Sequence, residues 1–219
     1  MNPNAALAIQ LGVCPIEVRS RETLRTGLNA LDTLTGGFPR GGIVEITGPE
    51  SSGRATLANS LLAASTRGRE ICALVDTHDS FDPAAAAASG VALAQLVWIR
   101  CGGHVEHAFQ AADALLHAGG FGVVAFDLCR ISNRAANRIP LSYWHRFRHA
   151  VENTPAILAV FSHSPHARSC AVMQLELRRR SAAWPGAPGF ALFRAMEIGV
   201  APRKPARPQQ AGIRACVGF

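Results

Sequence analysis

The segment IVEITGPESSGRAT, residues 43–56, constrains this chain more than any other. A β-branched apolar run at 43–47 enters a loop bounded by Gly48 and Gly53, and a helical pattern begins at Arg54. Leu57, Leu61 and Leu62 recur there at helical spacing. GxxxxG between a strand and a helix is the setting of a phosphate loop. Successive backbone N–H groups and the helix N-terminus can then surround phosphate oxygens. The candidate residues are Gly48, Pro49, Glu50, Ser51, Ser52, Gly53, Arg54, Ala55 and Thr56.

The rest of the chain repeats this alternation. Strands are expected at 71–76, 96–99, 123–127 and 156–162, and helices at 54–66, 83–89, 105–117 and 141–152. A short helix fits 4–11, and 26–42 reads as a helical turn followed by a loop. The strands are continuous apolar runs, as in a parallel sheet covered on both faces. The fold class is therefore α/β, a doubly wound, mostly parallel twisted sheet with helices on both faces. Residues 171–177 and 190–200 read as two strands without a long helix between them, an antiparallel extension of the sheet edge. The 219 residues suit one domain: an N-terminal segment 1–24, a core 25–200, and a basic, Pro-rich tail 201–219 expected to be disordered.

The net charge of +7 points to nucleic acid or an acidic partner. Cysteines stand at 14, 72, 101, 129, 170 and 216, too far apart for a CxxC or zinc framework. Thiols in apolar strand-like runs suit a reducing cytoplasm. Neither a secretory leader nor a membrane-length apolar run is present, so a cytoplasmic protein without membrane contact is expected.

Four stretches, GGIVEITGPESSGRAT (41–56), CALVDTHDSFDP (72–83), GFGVVAFD (120–127) and SCAVMQLELRRR (169–180), make the chain resemble the RecA family. TGLNALDTLTGGFPRG (26–41), SFDPAAAAASGV (80–91) and RIPLSYWHRFRHAVENTP (138–155) are similar to its ImuA-type branch, the small accessory proteins of bacterial mutasomes. The resemblance implies a RecA-like P-loop core. It also implies a role in damage-induced translesion synthesis with ImuB and an error-prone C-family polymerase, RecA itself being a further candidate partner.

The departures from RecA matter as much. Arg54 stands at the Walker lysine position, and its planar fork is larger than an ammonium. Ala55 replaces the hydroxyl residue that holds magnesium, and Thr56 lies ~100° further around the helix. His78 occupies the position of the catalytic glutamate, and Ala85 that of the adenine-stacking aromatic. Asp127 alone remains, at the Walker B position. Hydrolysis needs metal, charge stabilisation and water positioning together. A degenerate ATPase without a catalytic residue is therefore expected, requiring no cofactor and binding ATP or phosphate weakly at most.

Several arginines could contact DNA or a partner. Arg130, Arg134 and Arg138 form one stripe if that segment is helical. Arg178, Arg179 and Arg180 form a run, and Arg203, Lys204 and Arg207 lie in the tail, where phosphate contact would be non-specific. Leu141, Trp144, Phe147 and Val151 read as a core face. The long DNA loops of RecA, after 156–162 and after Asp127, are compressed. His104/His107 and His163/His166 have HxxH spacing without a supporting ligand cluster, so no metal site is assigned. A non-catalytic scaffold fits best. A DNA-stimulated ATPase or recombinase paralogue, and a SulA-type cell-division inhibitor, are the alternatives.

Overall fold

The computed structural model describes residues 22–132, 135, 138–186, 190, 192–206 and 209–216. The expected helix at 4–11, Arg134 and Arg207 lie outside them. After a two-residue strand β1 (Thr23–Leu24) come α1 (Asn29–Thr35) and β2 (Phe38–Pro39), which pairs with β1. Asp32 organises this entry, accepting hydrogen bonds from Thr26 N, Thr26 Oγ1 and Gly27 N at 2.9 Å each.

The core alternates as the sequence implies: β3 (Gly42–Thr47), α2 (Arg54–Arg67), β4 (Ile71–Asp76), α3 (Pro83–Ala88), β5 (Leu96–Arg100), α4 (Val105–Ala118), β6 (Phe121–Asp127), α5 (Leu141–Val151), β7 (Ile157–Ser162), β8 (Ala171–Ala183), β9 (Ala195–Lys204) and β10 (Ala211–Cys216). The eight-stranded sheet has the order β10-β9-β8-β3-β7-β6-β4-β5. Pairings from β8 through β5 are all parallel, and β9 and β10 add antiparallel strands at one edge. The α/β class and its antiparallel extension are as the sequence implies.

Alternate side chains of β3 feed two cores. Val44 and Ile46 join Leu57, Leu61 and Leu62 of α2 on one face. Ile43 joins Phe109 of α4 and Trp144 and Phe147 of α5 on the other. Trp144, Phe147 and Val151 are buried, as the helical spacing implies, whereas Leu141 is exposed. Helix α3 starts where the local chemistry dictates: Asp82 caps it, accepting from Ala84 N and Ala85 N at 2.9 and 3.1 Å, and Pro83 begins the helix.

The tail departs from expectation. Residues 201–204 complete β9, and Ala211–Cys216 pair along it as β10, with Ala211 and Ile213 buried. Backbone pairing and alternate apolar side chains outweigh the Pro- and Arg-rich composition there. The strand expected at 190–200 begins only at Ala195, and β8 runs six residues past 177, to Ala183. The described residues also carry no continuous helix from 130 to 138: Arg130 ends a turn after β6 and Arg138 sits in a later turn, so these two do not share one helical stripe.

Glu45 is a fully buried carboxylate in the middle of β3. It accepts from His166 N, from Ala167 N at 2.9 Å and from Gln174 Nε2 at 2.9 Å, pinning the connection after β7 to the sheet. That connection is only residues 163–170, in line with the compressed loop expected. Burial pushes the Glu45 carboxyl above its ordinary value, against the lowering by these hydrogen bonds. A raised carboxyl favours the fold fully below its unfolded value and loses that contribution as the pH rises through its folded value. Denaturant titrations across this range are therefore expected to show the wild type losing stability relative to Glu45→Gln as the pH rises from about 4.5. A pH-independent difference would contradict it.

Candidate functional site

The glycine loop lies at the carboxyl end of β3, the usual place for ligands in an open α/β sheet. Its backbone is tightly enclosed. Gly53 has φ +94°, and a Cβ there would lie 2.2 Å from Ile198 Cδ1 of β9. A Cβ on Gly48 would lie 2.5 Å from Leu177 O. Gly48 N donates to Ser162 O at 3.3 Å. Ser52 is 1% exposed, and its Oγ has no hydrogen-bond partner among the described residues.

The loop opens onto a cleft of about 580 Å³. Ser51 to Thr56 form one wall, and Asp127 and Arg130 stand at the exit of β6. Arg54 is nevertheless not presented to the cleft as a free cation. It is 8% exposed, and its Nη1 donates to Ser162 O at 2.7 Å. The first residue of a helix is a poor place for a positive charge, because the helix dipole is positive there. The carbonyl at the end of β7 offsets that cost.

Asp127 is occupied in the same way. Ser80 Oγ donates to its Oδ2 at 2.8 Å, and Cys129 N donates to its Oδ1 at 2.8 Å. Beside it, burial and the Asp127 charge push the Cys129 thiol well above its ordinary range. Ala55 contributes no oxygen. Thr56 also lines the cleft, which extends beyond the loop to Ala58 and Asn59. His78 is half-buried and is not among the cleft residues. It lies against the turn after β5, where a Cβ on Gly103 would be 4.0 Å from His78 Cδ2.

Two features escape a reading of the sequence. Asp76, fully buried at the end of β4, accepts from Ser80 N and Phe81 N at 3.0 Å each and from Trp98 Nε1 at 3.2 Å. It shapes the turn that delivers Ser80 to Asp127. These bonds reach four and five residues on, beyond the two-residue span of an Asx-turn, so no local turn signal marks them. Trp184 and Phe193, from the β8–β9 connection, form the far wall, their ring centroids 5.1 Å apart. Ala85 lines the cleft without a ring, and the aromatic side chains on the lining are Phe81, Phe161, Trp184 and Phe193.

The basic residues separate into paired and unpaired. Glu176 binds both Arg178 Nε at 2.6 Å and Arg203 Nε at 2.7 Å, and these hold its carboxyl below the ordinary value. Arg180 lies 3.6 Å from Glu197, and Lys204 Nζ donates to Ser169 O at 3.0 Å. Arg179, on the alternate face of β8, lines the cleft with Arg130. The arginines expected to act together thus belong to different surfaces.

The RecA N-terminal domain family matches residues 8–135, more than half of the chain. The chain belongs to the RecA family. This RecA-family chain is 36% identical over 121 residues to Protein RecA of Borrelia hermsii (strain HS1 / DAH), covering 54% of this chain and 33% of that protein. The same figures hold for Protein RecA of Borrelia hermsii. The match spans about a third of the length of these curated relatives. Among the described residues no helix is long and apolar enough to cross a membrane.

The magnesium nucleotide that a RecA P-loop implies does not fit these residues. Arg54 is tied to Ser162, position 55 lacks a hydroxyl, and both carboxylate oxygens of Asp127 already accept hydrogen bonds.

Proposed function

We propose that this chain is a non-catalytic RecA-like scaffold of damage-induced translesion DNA synthesis. In this reading it joins ImuB and an error-prone C-family polymerase at damaged DNA. The observation that carries it is that Arg54 donates to Ser162 O and Asp127 accepts from Ser80 Oγ, although these are the two charged groups that a nucleotide site would use. In a motor such groups are directed at phosphate and metal. The short, pinned connection at 163–170 supports a role without RecA-style filaments on single-stranded DNA.

Two measurements test this. Purified protein is expected to turn over MgATP no faster than the uncatalysed background, with or without single-stranded DNA; metal-dependent turnover at the rate of RecA would refute the reading. Co-purification with ImuB, together with loss of induced mutagenesis on deletion, is expected. Absence of both would overturn the pathway assignment and leave the fold untouched.

A further inference from the structure

The cleft is built for something other than a polyphosphate. Beneath the aromatic pair its floor is apolar: Leu74, Phe81, Phe161 and Met196. The three most exposed large hydrophobic side chains among the described residues are Trp184 at 57%, Phe190 at 84% and Leu192 at 65%, all on the β8–β9 connection that walls it. Leu192 N donates to Pro185 O at 3.2 Å and Arg194 N to Ala183 O at 3.0 Å, tying the two ends of the connection together beside the cleft. An exposed apolar patch beside an apolar cleft marks an interaction surface.

The charge around the cleft says what covers it. Arg130 and Arg179 are exposed on its lining and have no acidic partner among the described residues. The carboxylates there are engaged, Asp82 as the cap of α3 and Asp127 by Ser80 and Cys129 N. A nucleic-acid strand needs a track of free cations. The neighbouring Arg178, Arg180 and Arg203 are instead paired with Glu176 and Glu197. An apolar floor, aromatic walls and two free guanidinium groups are the elements of a hot-spot pocket for a peptide.

We infer that the former nucleotide cleft is a docking groove for a partner-protein segment that inserts a large apolar side chain beside Trp184 and Phe193 and sets flanking carboxylates against Arg130 and Arg179. This rests on the reading that the cleft takes no magnesium nucleotide.

The test pans a random peptide library displayed on phage against the full chain. Enriched sequences are expected to pair Leu, Phe or Trp with nearby Asp or Glu. A fluorescein-labelled peptide from that pool should bind at least about tenfold more weakly to Arg130→Glu/Arg179→Glu and to Trp184→Ala. It should bind Arg178→Ala as it binds the wild type. All three cleft side chains are exposed, so these variants should keep the wild-type circular dichroism spectrum. Enrichment without acidic residues, or affinity indifferent to both cleft variants, overturns this proposal alone. Single-stranded oligothymidylate binding that vanishes in Arg130→Glu/Arg179→Glu, with no peptide enriched, also overturns it and assigns the cleft to DNA. Saturable MgATP binding that displaces the peptide overturns both this proposal and the reading on which it rests.

Discussion

Gly53→Ala is expected to destabilise the fold by about 2–5 kcal/mol, with part of that loss relieved by Ile198→Val. The backbone at Gly53 has φ +94°, and left-handed geometry costs an L-residue about 1–2 kcal/mol. The added methyl would also meet Ile198 Cδ1 at 2.2 Å and Cγ1 at 2.8 Å. Ile198 is buried in the core beneath the loop, so overpacking adds about 1–3 kcal/mol. Ile198→Val removes Cδ1 and leaves Cγ1, so only the steric part is relieved, and incompletely. Urea unfolding of the two single variants and the double variant measures the coupling. Independent effects would show that β9 does not hold the loop. The expected coupling also gives the glycines of GPESSG a packing role in the strand-to-helix turn, whatever the loop binds.

Phe147→Ala should cost about 3–5 kcal/mol, the range for truncating a buried aromatic. Phe147 is fully buried, stacked on Phe109 at 5.7 Å and meeting Phe126 at 6.3 Å and Trp144 at 5.8 Å edge-on. These rings join α4, α5 and β6, so the cavity opens at the centre of that core. Leu141→Ala on the same helix is the control: that side chain is exposed, and its loss should stay within about 0.5 kcal/mol. Chemical denaturation distinguishes the two. Equal effects would mean that α5 does not dock through this face.

Much of the fold was legible because its signals are local. Val44 and Ile46, with Leu57, Leu61 and Leu62, carry the strand and helix periods that place them in one core. Residues 211–216 misled because the Pro-rich, basic composition of the tail 201–219 describes it as an isolated segment. Whether β9 offers that segment an edge is a long-range fact, and pairing with Ala195–Val200 settles it. Arg130 and Arg138 misled differently: their spacing counts as a stripe only on a helix, and each of the two lies in a turn.

The phosphate loop shows the same division. The sequence alone determined that the loop is present, with Gly48 and Gly53 in place, and its resemblance to RecA sets Arg54, Ala55 and His78 where that family carries lysine, hydroxyl and carboxylate. Side-chain identity carries that information. Only the tertiary structure decided what the remaining charged groups do. Arg54 reaches Ser162 O across 108 positions of sequence, and Ser80 reaches Asp127 across 47, so a site lacking key side chains becomes one whose charges are spent internally. It also brought Trp184 and Phe193, from the β8–β9 connection, to the same cleft as the loop. The physical reason is range: periodicity and turn chemistry act within a few residues, whereas hydrogen bonds between strand ends depend on which strands become neighbours.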